Sequence, residues 1–554
     1  MKNRKIGLIL LSFVFVLSFF LAACQSSKTT TSGTKPSGTD KGTTTQAATD
    51  KPQDGGNLIV GSTGSPTLFN PYYSTDTASG DIEGFLYNGL VTVDQKLQPV
   101  GDLAKSWEVS SDGLTYTFHL KDGVKWSDGQ PFTADDVVFS YNIPRSKDYT
   151  GPRASSFDKI KDVKAVDPQT VVVTLSQKYA PFLTDTAGYG ILPKHILKDV
   201  PIKDLGKNDF NTKTPVGTGP YKFVEWKDGQ YVKLEKNSTY FEGAPHIDTV
   251  TYKIVPDANA LLTQFQAGDV DYLDLQSTDL ATGKQLEQQG KAKILTTLAL
   301  DYNYIGYNEQ NPLFKDKKVR QALTMALDRQ KMIDAVTNGD GKVADTPGSP
   351  LESWAFNPDV PKFNYNVEEA KKLLAEAGWK PGKDGILEKD GKKFSFELKT
   401  NQGNAEREQI AQVAQQMWKA IGVDAKPKIQ EWSAFIKDVT APNWNYDACI
   451  LGWALGIDPD PSDIFSTKEI KQGLNFVHYS NPELDKLMAQ NTQITDQTAR
   501  GDMIKKIQAG IAEDQPYSFL YYPNAHIMFN PKLQNVQQHS RISYYHINQW
   551  WIKQ

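Results

Sequence analysis

A mixed α/β fold is predicted from near Asn57 to the last residue. Two observations predict it: short runs of β-branched and aromatic residues occur without a single repeat, and stretches with helical apolar spacing dominate the later half. Asn57-Leu58-Ile59-Val60-Gly61 reads as a buried strand that opens the body. Thr115 to Leu120, Thr170 to Leu175 and Tyr231 to Leu234 read as strands because their side chains suit a pleated, half-buried surface. Val319, Leu323, Leu327, Ile333 and Val336 then keep helical spacing. Asn366 and Glu369 make a capping-box pattern for a helix that ends before Gly378. A further helix is predicted over about Ala405 to Ile421, with Ile410, Val413, Ala414, Met417 and Ile421 on one face and Gly422 as its stop. These stripes read as core.

The first residues read differently. Met1-Lys2-Asn3-Arg4-Lys5 and the apolar run from Ile6 to Ala23 fit an export signal peptide over residues 1–23. Leu21-Ala22-Ala23-Cys24 resembles the lipobox of bacterial lipoproteins, which implies that Cys24 becomes the first mature residue and carries a diacylglyceryl group. Two acyl chains give stable anchoring where one is marginal. The alternative is a retained spanning helix, since about 18 apolar residues is the lower bound for crossing. The small-small-Cys ending has no purpose in such a helix. Residues 24–56 read as the lipidated cysteine and a disordered linker, because from Gln25 to about Gly55 the chain is almost entirely Ser, Thr, Gly, Lys, Asp, Pro and Ala. The typical span of such a linker is roughly 30 Å.

Composition limits what the body can do. Aromatic residues at 11% and charged residues at 23% exclude disorder for it, and about 500 residues suffice for two or three domains. A net charge of -4 with both signs interspersed offers no basic face for nucleic acid and no polybasic membrane patch. Cys24 and Cys449 are the only cysteines, so with the first lipidated no intramolecular disulfide is available.

An exported hydrolase is the first functional alternative, and its signatures are missing. His119, His195, His246, His478, His526, His539 and His546 are scattered, with no HExxH pair. There is no GxSxG elbow, and Cys449 sits in an apolar run that suits an inert buried thiol. Gly217-Thr218-Gly219-Pro220 lacks the phosphate-loop pattern and precedes strand-like Tyr221-Lys222-Phe223-Val224, so it reads as a tight turn. Asn237-Ser238-Thr239 reads as a surface turn, not a glycosylation site, given the bacterial-type lipobox. Pro459 and Pro461 interrupt Asp458, Asp460 and Asp463, which lack calcium-loop spacing. Thr133-Ala134-Asp135-Asp136 reads as a helix cap. No catalytic residue, metal or cofactor is expected.

Several segments, in this order, resemble the family 5 extracellular solute-binding proteins. They are Leu103-Ala104-Lys105-Ser106-Trp107, Ser111-Asp112-Gly113 through Phe118, Gly123-Val124-Lys125-Trp126-Ser127-Asp128-Gly129, and Thr133 through Ser140. Gly217-Thr218-Gly219-Pro220-Tyr221, Phe314 through Leu323 and Ala326-Leu327-Asp328-Arg329 follow. Each alone is a turn dipeptide or a large buried side chain; their order across residues 57–554 carries the resemblance. It implies receptors for ATP-driven uptake of oligopeptides, dipeptides, nickel and some other solutes, with two hinged lobes of the type II, cluster C periplasmic-binding-protein-like fold and an additional inserted domain. By analogy the first lobe combines 57–83, 190–297 and 521–554, the additional domain covers 84–189, and the second lobe covers 298–520. The expected partners are an oligopeptide and ABC permease subunits with cytosolic ATPases, served by a monomer lipid-anchored on the outer face of the bacterial cell membrane. A metal complex or an oligosaccharide is the alternative solute.

The resemblance also implies a ligand site. Cys449 through Pro461 is similar to the family's cleft strand and following loop, which marks Trp453; Glu431-Trp432 is similar to the position of a second cleft tryptophan. Many peptide binders of the family carry an aspartate three residues after the cleft tryptophan to hold the peptide amine, and here that position is Gly456. Asp458 is the candidate replacement. Asp76 and Thr77 resemble a first-lobe edge, Asn401 a second-lobe edge, and Arg407 a charged partner for the ligand carboxylate. Dipeptide specificity is disfavoured, because a short ligand depends more heavily on its charged ends.

Overall fold

Three larger sheets carry the body. The computed structural model describes residues 51–554, apart from Glu431, Ala441, Gln472 and Gly473 and the side chains of Ser155, Trp432 and Ser433. The sequence-stretch 1–50, with Cys24, lies outside the described residues.

The seven-stranded sheet runs in the order Lys293–Leu298, Asn524–Phe529, Tyr272–Leu275, Asn57–Ser62, Thr249–Ile254, Tyr231–Lys236, Tyr221–Lys227. Its opening strand lies parallel to Thr249–Ile254, with Asn57 opposite Thr249, and its Leu58 and Val60 are fully buried. The four-stranded sheet runs Ala104–Val109, Thr115–Leu120, Thr170–Leu175, Ile160–Asp167. Tyr116, Phe118, Leu120, Val171 and Val173 alternate inward from it and share one apolar core with Leu58, Val60 and Val250 of the seven-stranded sheet. Period-2 spacing puts every second side chain on one face, which is why these strands are legible.

The six-stranded sheet runs Lys342–Val343, Tyr517–Tyr522, Asp301–Tyr307, Ala448–Ala454, Ser395–Asn401, Asp424–Gln430. Helices Lys317–Met325, Arg329–Thr337, Val367–Glu376 and Ala405–Lys419 pack into its core through residues such as Leu323, Ile333, Leu374, Ile410 and Trp418. The apolar spacing from Val319 to Val336 therefore belongs to two helices. Asp328 breaks it by capping the second, where its side chain accepts from Lys331 N. Asn366 caps its helix by accepting from Glu369 N at 3.0 Å. Thr133 and Asp136 form a capping box at the start of Ala134–Arg145.

The Gly217–Pro220 turn has a steric reason. A Cβ on Gly217 or Gly219 would overlap the carbonyl oxygens of Leu86 or Phe85 at the end of helix Thr77–Leu86. Only glycine lets the two backbones meet so closely. Gly219→Ala is expected to cost about 1–3 kcal/mol as an overpacking substitution. Gly80→Ala, in the same helix with open space around it, is expected to stabilise by about 0.5–1 kcal/mol. Paired denaturant titrations check both, and equal midpoints for the two variants would remove the steric account.

Candidate functional site

Strand Ala448–Ala454 is paired unequally on its two sides. Along one flank it is antiparallel to Asp301–Tyr307 over its whole length, from Ala454 opposite Asp301 to Ala448 opposite Tyr307. On the other flank its parallel partner Ser395–Asn401 matches it only at Leu398–Ala448 and Lys399–Cys449. Beyond Cys449 the ladder ends: Thr400 Oγ1 still donates to Ile450 O at 3.3 Å, and from Leu451 to Ala454 no strand among the described residues pairs with this flank. Unpaired edges of this kind are templates for another extended chain.

Aromatic rings line this edge. Trp453 is half-exposed, stacks parallel to Tyr304 at 8° and 6.3 Å between centroids, and lies 5.3 Å from Phe476. Its indole Nε1–H donates to Tyr517 Oη at 3.2 Å, which fixes the ring plane. Tyr304 and Tyr517 stack at 3.9 Å beneath it. The alternating aromatics of Asp301–Tyr307 already signal this layer in the sequence.

Asn401 and Arg407 occupy the gap where the strands part. Arg407 rises from the first turn of Ala405–Lys419, and its Nη1 donates to Asn401 Oδ1 at 2.9 Å. Gly452 lacks a side chain where one would approach Arg407 Nη2 and Asn303 Oδ1. Arg407 Nε is buried with no partner, and burial opposes the charge. A buried, incompletely paired guanidinium gains by meeting a carboxylate or carbonyl.

The loop after the edge is a polar knot. Asp458 accepts from Arg500 Nη1 at 2.7 Å and Nη2 at 2.5 Å, and Arg500 lies over the Trp354 ring. Asp460 Oδ1 accepts from Ser462 Oγ at 2.5 Å and Asn491 Nδ2 at 3.1 Å. Burial, then the charges of Asp458 and Asp463, push the Asp185 carboxyl up to about 6 from the opposite side, where Tyr179 Oη reaches it at 3.4 Å. Burial, then Asp458, also pushes Asp460 up to about 6.

A model of the bacterial extracellular solute-binding proteins, family 5, matches residues 98–475. The chain belongs to this family. The oligopeptide-binding protein AppA of Bacillus subtilis is 50% identical over 556 residues, covering 100% of both chains. The dipeptide-binding protein of Escherichia coli is 30% identical over 83% of this chain and 88% of its own length. Among solved structures, AppA from Bacillus subtilis in complex with a nonapeptide is 51% identical with a TM-score of 0.81, covering 91% of this chain and 100% of that one. NikZ from Campylobacter jejuni in complex with Ni(L-His) is 29% identical with a TM-score of 0.79, covering 89% and 99%.

The solute-binding family is a family of receptors, not of catalysts. In keeping with that, burial pushes the Cys449 thiol up to about 12, so it stays protonated and unreactive at neutral pH. No helix among the described residues is long and apolar enough to cross a membrane.

The remaining expected site residues are placed as follows. Asp458 lies in the loop just beyond the open edge, but both its oxygens are engaged by Arg500, a pairing the sequence does not announce. A Cβ at Gly456 would meet only the Asp458 backbone, at 3.7 Å or more, so this position has room. Trp432 opens helix Trp432–Val439, and its side chain lies outside the described residues. Asp76 caps Thr77–Leu86, accepting from Ser79 N at 2.7 Å and Thr67 Oγ1 at 2.7 Å, with Thr77 exposed as the first helical residue.

Asp185 carries a pH prediction. A carboxyl whose folded value is raised to about 6 binds its proton more tightly folded than unfolded. Its stabilising contribution is full below about 4, the unfolded value, and is lost as pH rises through the folded value. Asp185→Asn removes that loss. Thermal melts should show the variant gaining on the parent between pH 4.5 and pH 7.5; a constant difference between the two would refute the buried-carboxylate reading.

Proposed function

We propose that the chain is a lipid-anchored extracellular receptor that holds an oligopeptide of about four or more residues along the open edge at Trp453 and delivers it to an ABC permease with cytosolic ATPases. Lobe I carries the seven-stranded sheet and lobe II the six-stranded sheet, with the solute between them. The observation that carries this reading is the main-chain flank from Leu451 to Ala454 that no strand among the described residues pairs, bordered by Trp453, Asn401 and Arg407. Backbone pairing there would serve any peptide sequence, giving affinity without side-chain selection. The 50% identity to AppA over the whole length supports it, as does the nonapeptide held by AppA.

An extended nonapeptide covers roughly 30 Å. Gly452, beside Arg407, and Asp458 are separated by six residues of chain, which span at most about 20 Å. A long peptide whose amine lies at the Asp458 loop therefore passes beyond Arg407, which then meets a mid-chain carbonyl instead of the terminal carboxylate. The amine's partner is Asp185 in this reading. Asp458 is held at both oxygens by Arg500 and Asp460 at Oδ1 by Ser462 and Asn491, whereas Asp185 has a single long bond from Tyr179. A metal-complex reading has less support, since the rings around Trp453 are Tyr304, Tyr517 and Phe476, with no imidazole among them.

Calorimetric titration of one peptide with a free and an acetylated amine tests the site. Asp185→Asn is expected to weaken the free-amine peptide by roughly 1–3 kcal/mol and to spare the acetylated one. Trp453→Ala is expected to weaken both, because ring packing ignores the terminus. Equal losses in Asp185→Asn would remove Asp185 as the amine partner, and no loss in Trp453→Ala would remove the cleft. For the anchor, Cys24→Ser is expected to leave the body folded and to release it from the membrane fraction; lipid-modified mature protein in that strain would overturn the lipobox reading.

A further inference from the structure

The two larger sheets are joined by chain crossings at Ala299–Leu300 and at Pro523. Lys293–Leu298 pairs with Asn524–Phe529 on one side of them, and Asp301–Tyr307 with Tyr517–Tyr522 on the other. Ala299 N–H donates to Pro523 O at 2.9 Å, tying the crossings together. Any change of angle between the sheets bends the chain there.

A second connection spans the same point through side chains. Asp340 belongs to the lobe II side, in the turn Asn338-Gly339-Asp340-Gly341 between helix Arg329–Thr337 and strand Lys342–Val343. Asn338, Gly339 and Gly341 all have positive φ, and the turn presses on Tyr521, where a Gly341 Cβ would meet Tyr521 Cδ2 at 3.1 Å. Lys342 pairs with Tyr522, so Asp340 is held just short of Pro523. Its carboxylate reaches past the crossing to lobe I: Oδ1 accepts from Asn524 Nδ2 at 2.7 Å and Oδ2 from His526 Nε2 at 2.5 Å. His526 Nδ1 in turn meets Thr296 Oγ1 at 2.8 Å. The His526 and Asp340 side chains are 2% and 9% exposed. Ser277 of lobe I also lies beside Asp340 and beside Glu406 of lobe II. Burial acts to raise the Asp340 carboxyl, but the hydrogen bonds from Asn524, His526 and Ser277 outweigh it and hold it below the ordinary value.

The arrangement that contains this contact is a closed one. Ala180 N–H donates to Thr492 O at 2.7 Å and Gln497 Nε2 to Gln98 Oε1 at 3.2 Å, joining the additional domain to lobe II. Val93 and Leu97 pack with Leu300, Leu455 and Ile457.

We propose that Asp340, Asn524 and His526 form a hinge clasp that stabilises the closed arrangement and so sets the fraction of receptor competent to hold solute. The clasp works with the imidazole neutral or charged, since Nε2–H donates in both states and Thr296 Oγ1 can accept from or donate to Nδ1. Buried charge-assisted hydrogen bonds are directional, so a change of hinge angle loses them together. Apparent affinity scales with the competent fraction, so loosening the clasp weakens binding without touching the solute.

The test uses the full body in three forms. In Asp340→Asn the carboxylate charge is lost, so the contacts to Asn524 and His526 are no longer charge-assisted. His526→Gln keeps a donor and serves as the conservative rescue. Small-angle scattering of the ligand-free proteins should show Asp340→Asn more expanded than the parent and His526→Gln near it. Peptide affinity by calorimetry should fall about tenfold in Asp340→Asn, the size of exchanging two charge-assisted hydrogen bonds for neutral ones. Hydrogen exchange at residues 299–300 and 524 should speed up, while the melting midpoint stays within a few degrees. Parental scattering and parental affinity in Asp340→Asn would overturn the proposal. Should Asp340→Asn fail to fold, Asn524→Ala replaces it under the same criteria. The ligand-free scattering keeps the outcome separate from the peptide reading, whose own failure would appear as no heat with the parent.

Discussion

One antiparallel ribbon joins the two larger sheets. Its strands run through both sheets and change membership only at Ala299–Leu300 and Pro523. Because those residues give up sheet pairing, they are where the body can bend. The cleft strand is fixed to the same ribbon: Leu455 N–H donates to Leu300 O at 2.8 Å, directly after Trp453 and Ala454. A change of angle at the hinge is therefore passed to the edge that the solute would meet.

The site itself follows from a conflict between pairing and burial. Ser395–Asn401 pairs with Asp424–Gln430 over its full length but with Ala448–Ala454 at only two positions. The gap this leaves holds Arg407 and Asn401, which bond each other but leave donors over. Next to Trp453, Tyr302, Tyr304, Tyr517 and Phe519 form a dense aromatic layer. Unspent hydrogen-bonding capacity beside a packed aromatic layer suits an extended polar chain with varied side chains.

Parts of this were legible in the residues. Strands such as Thr115–Leu120 and Thr170–Leu175 carry a period-2 pattern, and Ala405–Lys419 carries a helical one, because local periodicity reports which face is buried. The break at Asp328 inside an unbroken apolar spacing was not legible, since a cap is decided by where the backbone turns. At the site, Trp453 could be marked from its sequence neighbourhood. The Asp458–Arg500 pair could not, because 42 residues separate its members and no spacing rule links them. Asp185 went unnoticed for the same reason: its neighbours Asp458 and Asp463 come from a distant part of the chain.

The sequence by itself determined the mixed α/β class, the family and the receptor character, since these rest on composition, local pattern and ordered motifs. Tertiary structure alone decided which strand flank stays open, that Arg500 takes both Asp458 oxygens, and that Asp340 meets Asn524 and His526 across Pro523. Those features depend on residues far apart in the chain meeting at hydrogen-bond distance, and linear order carries no such information.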